Sequence, residues 1–267
     1  MVKTFKYLIL ISISIFILGT LSLKNHFIQD KLLGFAIKSL ATPESNLPEE
    51  DTLTAIVCGS RAPIIDPNRA EACILVQAGD KIFIFDTGDG SVQNLVKWNI
   101  PFDRVKGVFY THLHSDHIAD IGEIHMDTWV AGARKSKLKV YGPEGVQLLT
   151  DGTELAYTND YIFRNEHHGD LLAPLDVVGF DTHTVDLKNP ILIDEDNLKI
   201  TAYSVSHDPV EPALGYRIDY KGRSMSISGD TTYDHNIVKN SKNEDVLFNE
   251  YMSLEILDLI NKVAKSK

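Results

Sequence analysis

The chain has 267 residues, an apolar fraction of 43% and a net charge of −11 from 26 basic and 37 acidic residues, enough for one large domain or two small ones with a sizeable core. An acidic balance of that size repels phosphate backbones unless basic residues are segregated, which sets the expectation of no nucleic-acid partner.

Lys3 and Lys6 precede the uncharged run Tyr7–Leu23, which reads as a signal anchor or signal peptide over residues 1–24. No small-residue cleavage site follows closely, which favours an uncleaved anchor. The expectation is a membrane-anchored, extracytoplasmic protein, periplasmic or on the cell surface, or secreted if the segment is removed. Residues 25–51, with "ATPESNLPEED", read as a linker, and residues 52–267 as the folded domain.

The first apolar runs, "TAIVCGS" and "EACILVQA", flank a turn rich in Pro, Asp and Asn and read as two neighbouring strands of a hairpin. They carry both cysteines of the chain, Cys58 and Cys73, which are either disulfide partners or two buried thiols. "KIFIFDTGDG" reads as a strand entering a turn at Asp86 and "SVQNLVKW" as a helix. "VKGVFY" is a buried strand ending at "THLHSDH", and "IADIGEIHMDTWVAGA" follows as an amphipathic helix. A strand "KLKVYGP", a helix "EGVQLLTDGTELAYT" and an acidic irregular region to about Asn197 come next. The strand-like runs "LKITAYSVSH", "ALGYRIDY" and "SMSISGD" complete the pattern. Strands in runs with helices interspersed predict an α/β layered protein with mixed sheets.

Four of the polar groups in "THLHSDH" can bind a metal, and three of them are among only ten histidines in the chain. His112 and His114 are two apart at a strand's C-terminal end, and Asp116 and His117 continue the turn. Zinc takes imidazole nitrogen and carboxylate oxygen, and a catalytic ion keeps one position open, so each pair needs further ligands. His207 in "SVSHDP" and Asp230 in "SISGDTT" also stand at strand ends and supply them.

The segments "THLHSDH", "FDTGDG" and "SHDPVEPALGYRIDYKGRSMSISGDT" resemble the metallo-β-lactamase superfamily, and more narrowly its exported arylsulfatase and ribonuclease Z-like branch. The resemblance implies a four-layer αββα sandwich and one or two zinc ions. His112, His114 and His207 would hold the first zinc, Asp116 and His117 the second, with Asp230 bridging and Asp86 orienting a ligand histidine. Asp116 and Asp230 would carry the catalytic carboxylates beside a metal-activated water, and the substrate would be a small ester-like molecule such as an aryl sulfate, phosphodiester or lactone. His167 and His168 in "EHHG" either line the substrate pocket or form a structural pair.

The chain departs from the family in two places. No histidine follows His235, where relatives have a late zinc ligand, and Asn249 in "VLFNEY" stands where ribonuclease Z-like relatives carry a histidine. These departures admit a C-terminally short fold, an impaired hydrolase, or a non-catalytic or truncated binding module. RNA processing is set aside on charge and address, and β-lactam hydrolysis on the bridging aspartate.

Overall fold

The two cysteine-bearing runs form the expected hairpin. Strands β1 (Leu53–Gly59) and β2 (Cys73–Ala78) pair antiparallel with Leu53 opposite Ala78 and Val57 opposite Ile74. The register slips between Val57 and Gly59, and at that irregularity Cys58 is bonded to Cys73 as a disulfide. In this computed structural model the described residues are 45–49, 51–64, 66–251 and, further on, 253, 255, 257, 258 and 262. The apolar run Tyr7–Leu23 lies outside them, and with it the expected anchor. Among the described residues no helix is long and apolar enough to cross a membrane.

A two-residue turn at Gly79, whose φ of 61° suits a residue without Cβ, leads into β3 (Lys81–Phe85). From β3 the sheet becomes parallel through β4 (Val105–Phe109), β5 (Leu138–Gly142) and β6 (Phe180–Thr184), in the order β1-β2-β3-β4-β5-β6. Helix α1 (Ser91–Lys97) crosses from β3 to β4. The long amphipathic stretch after the histidines is not one helix. It breaks into α2 (Ser115–Ile118), α3 (Ile121–Met126) and a π-helical turn at Asp127–Ala131.

The expected irregular region before Asn197 is instead regular. Helix α4 runs from Val146 to Leu172, with a left-handed break at Gly169, and is followed by β6 and β7 (Ile191–Glu195). Its signal is weak for a physical reason: α4 buries only Val146, Thr150 and Tyr161, and β6 and β7 are five-residue edge strands in which only Phe180 is buried. The connector at 25–51 is not slack at its end, because Leu47 is only 5% exposed within the core and the carbonyl of Pro48 accepts from Gln77 Nε2.

The second sheet has the order β11-β10-β9-β8-β7, built from β8 (Leu198–His207), β9 (Val210–Tyr220), β10 (Arg223–Ile227) and a short β11 (Val246–Phe248) that pairs parallel with β10. The sheets face each other through Phe83, Phe85, Phe109 and Tyr141 on one side and Ile200, Leu214, Tyr216 and Ile218 on the other. Helices α1, α3 and α4 cover the outer face of the first sheet through Leu95, Ile124 and Val146, and α5 (His235–Asn240) covers the second through Ile237. This is the layered α/β sandwich with two sheets. Phe109 is its hub, stacked on Tyr141 at 4.6 Å and on Phe85 at 4.9 Å, each such pair adding about 0.5–1.5 kcal/mol beyond its buried area.

Candidate metal centre

The C-terminal ends of β3, β4, β8 and β10 come out along one edge of the paired sheets. β3 delivers Asp86, β4 delivers Thr111 and His112, β8 ends in His207, and the turn after β10 carries Asp230. Two groups form there. His112, His114 and His207 place one ring nitrogen each within 4.8 Å of one another, and so do His112, His117 and Asp230 in ligand atoms. His112 Nε2 lies 3.0 Å and His207 Nε2 3.4 Å from His114 Nδ1. Asp230 stands between the groups, Oδ1 at 3.2 Å from His117 Nε2 and Oδ2 at 4.0 Å from His207 Nε2. Asp116 is buried with Oδ2 at 3.8 Å from His117 Nε2, just outside the tight groups.

Asp86 holds this edge from behind. Its Oδ1 accepts from the Thr111 amide at 2.8 Å and its Oδ2 meets both the Thr111 hydroxyl at 2.8 Å and His117 Nδ1 at 2.9 Å, so that His117 Nε2 faces the site. Asp86 does this at φ 58°, a conformation that costs a residue with a Cβ some strain and that the surrounding bonds impose. Thr111, unremarked in the sequence, is the pivot: its hydroxyl also contacts His112 Nδ1 at 3.1 Å, and Gly229 passes so close that a Cβ there would lie 2.6 Å from Thr111 Cβ.

The electrostatics are those of a cation site. Burial pushes His112 down to about 3, and the charge of His117 adds to the effect. Burial also works against a charge on His117, but the Asp86 and Asp230 carboxylates outweigh it and push that imidazole up to about 10. For Asp230 burial alone would favour the acid, yet its bond to His117 and that ring's charge hold it well below the ordinary carboxylate range. The donor set fits zinc. Three ring nitrogens converge at His114 with no acceptor oxygen among them, and a carboxylate stands between the two groups, which is the arrangement a soft-to-borderline divalent ion satisfies.

Glu250 was not legible as part of this edge. Ser228 donates its amide to the Phe248 carbonyl, so the chain leaving β11 runs beside the Asp230 turn. There Glu250 Oε1 accepts from the Thr231 amide at 3.1 Å, and its carboxyl is hydrogen-bonded to Asp230. Burial and the Asp230 charge push it up to about 7. His167 and His168 lie exposed on α4, outside both groups, and His235 sits on α5 beside Tyr233.

Two mixed sheets with a histidine- and aspartate-bearing edge define a metallo-hydrolase class, and the chain belongs to the metallo-beta-lactamase superfamily, whose family model matches residues 67–262. Its two ligand groups are a donor set suited to zinc as the cofactor. It is 36% identical over 175 residues to "Ribonuclease Z" of Mycobacterium avium, covering 65% of this chain and 61% of that protein. It is 35% identical over 177 residues to "Ribonuclease Z" of Mycobacterium marinum, with the same coverages of 65% and 61%. The chain thus spans about 61% of the length of these curated relatives. In fold it is similar to human tRNase Z, short form, at a TM-score of 0.58 and 20% identity, covering 78% of this chain and 82% of that one. A metallo-beta-lactamase fold protein, YhfI from Bacillus subtilis, matches at 0.55 and 20% identity, covering 74% and 70%.

These relatives overturn two expectations from the sequence. The small ester-like substrate, with its arylsulfatase likeness and its non-catalytic alternative, gives way to the ribonuclease Z likeness, and the exclusion of nucleic acid falls with it. The physical error is in the use of net charge. A sum of −11 describes the whole surface and not any one part of it. Lys135, Lys137 and Lys139 are all exposed within a few positions of Arg134, a basic cluster that the overall balance concealed.

Proposed function

We propose that this chain is a ribonuclease Z-type phosphodiesterase that hydrolyses RNA near the 3′ end of a tRNA precursor. The observation that carries the reading is the pair of ligand groups on the sheet edge with Asp230 between them, in a chain 36% identical over 175 residues to a protein named for that activity. His112, His114 and His207 would hold one metal, and Asp116, His117 and Asp230 the other. The metals supply positive charge that polarises a phosphoryl oxygen and eases deprotonation of an attacking water. The chain's own residues set the geometry. Asp86 fixes His117 by its Nδ1, the Thr111 hydroxyl does the same for His112, and both of these imidazoles are buried. Asp116, beside His117 and 5% exposed, is placed to accept a proton at Oδ2.

The test is incubation of the zinc-loaded chain with a tRNA precursor carrying a 3′ extension. Cleavage at one position, lost with a chelator and restored by zinc, is expected. Hydrolysis of bis(p-nitrophenyl) phosphate without any cleavage of the precursor would sink the RNA reading.

A further inference from the structure

A cavity of about 430 Å³ opens from Asp116, His117 and Asp230 and extends toward the loop that joins β1 to β2. Its lining is mixed: beside the ligand residues it takes in the apolar Val57, Ile74, Ile227 and Phe248, the guanidinium-bearing Arg69 and the aromatic Tyr251. Arg61 also borders it, but that guanidinium is committed to the loop itself, through the carbonyls of Arg69 and Ile64 and the carboxylates of Glu71 and Asp89. Arg69 differs. Its side chain is 66% exposed and meets Asp66 at 3.7 Å, a separation worth little in water. Tyr251 is 87% exposed, unusual for a large aromatic ring that borders a cavity.

We propose that this cavity seats the nucleotide flanking the scissile phosphate of an RNA strand, with Tyr251 stacked on its base and Arg69 paired with its outer phosphate. The inference rests on the phosphodiesterase reading above and names the residues that would make the site prefer a nucleotide. An aromatic face takes any base by stacking, apolar side chains accept the ring edges, and a cation lining the same cavity as a metal group suits a ligand that carries two anionic groups. The volume lies within the range of about 300–1,000 Å³ typical of small-molecule sites. The loop bearing Arg69 is itself held: the Cys58–Cys73 disulfide ties its base, and Ala72 and Glu71 bond through their backbones to Gly88 and Asp89, so the ordering left for binding lies in the Arg69 and Tyr251 side chains.

The probe is adenosine 3′,5′-bisphosphate, which carries one phosphate for the metal group and one for Arg69, titrated into the zinc-loaded chain and compared with inorganic phosphate. Wild-type protein is expected to bind the nucleotide at least tenfold more tightly than phosphate. Arg69→Ala and Tyr251→Ala should each weaken nucleotide binding about tenfold, while Tyr251→Phe, which keeps the ring, should restore it. In parallel, the ratio of kcat/KM for RNA to that for bis(p-nitrophenyl) phosphate should fall about tenfold in both alanine variants. Equal affinity for nucleotide and phosphate, or alanine variants that bind the nucleotide like wild type, overturns the seat. A chain that hydrolyses the aryl diester but no RNA defeats the phosphodiesterase reading alone, and the nucleotide titration still decides the cavity.

Discussion

The Tyr216 hydroxyl on β9 donates to the carbonyl of Tyr110 at 2.7 Å, at the point where β4 turns into the histidine segment. Both residues are fully buried, so this bond couples the second sheet to the backbone just before Thr111 and His112. Tyr216→Phe keeps the ring packed on Phe109 and leaves the carbonyl without its donor, at a cost of about 1–3 kcal/mol. Urea denaturation checks this. A variant as stable as wild type would show that the packing alone aligns the sheets.

Asp86 binds no metal in the proposed arrangement, yet it touches Thr111 twice and His117 once. Asp86→Ala is expected to lower zinc affinity about 10- to 100-fold at the His117 side, the usual cost of losing a partner that orients a ligand. Competition against a chromophoric chelator measures it, and unchanged affinity would remove Asp86 from the site's support.

Much of this edge was legible in the sequence. The histidines of 112–117 end a buried strand with helical spacing after them, and His207 and Asp230 end strands too, so their meeting follows from strand ends sharing one edge. Glu250 was hidden because its place depends on β11, three residues long, whose pairing with β10 has no periodic signal. Thr111 was hidden because a hydroxyl acting through Asp86 leaves no pattern in one dimension. The helix α4 was underread because a mostly solvated helix lacks an apolar stripe.

Gly229 sits at φ 61° against Thr111. Gly229→Ala adds a Cβ where both the backbone angle and the space oppose it, so a loss of more than about 1 kcal/mol is expected, together with weaker zinc binding because Asp230 is the next residue. A folded variant with wild-type zinc stoichiometry would argue that the Asp230 turn is more compliant than its contacts suggest.

Asp120 accepts from the Val92 amide at 3.1 Å at the start of α1, and burial, with the charges of Glu123 and Asp89, raises its carboxyl from near 3.8 to about 6. The folded chain therefore holds this proton more tightly than the unfolded one, and the group's contribution to stability falls as pH rises from about 4 to about 6. Asp120→Asn keeps an acceptor for Val92 and removes that penalty. It should be more stable than wild type above pH 6, by on the order of 1–3 kcal/mol, and about equal at pH 4. Thermal melts at the two pH values decide, and a difference independent of pH would reject the assignment.

The disulfide closes a stretch with a sequence separation of 15, for which chain entropy predicts about 3 kcal/mol. The double variant Cys58→Ser, Cys73→Ser should lose about that much in chemical denaturation. A loss below about 1 kcal/mol would mean that the β1–β2 pairing already confines the loop.

The division of the ligand set between the sheets has a mechanical consequence. His112, His114 and His117 hang from the first sheet, His207 and Asp230 from the second, so an ion held among them would work as a rivet through two plates that are otherwise fastened at that rim by apolar contact and by the bonds of the Tyr216 hydroxyl to the Tyr110 carbonyl and of the Leu214 amide to the Thr111 carbonyl. Withdrawing the rivet frees the rim before it frees the middle, where Phe109 and its neighbours remain clasped. Chelation should therefore speed amide hydrogen exchange first at Thr111–His117 and Val205–His207, with β3 and the centre of β9 the last to follow.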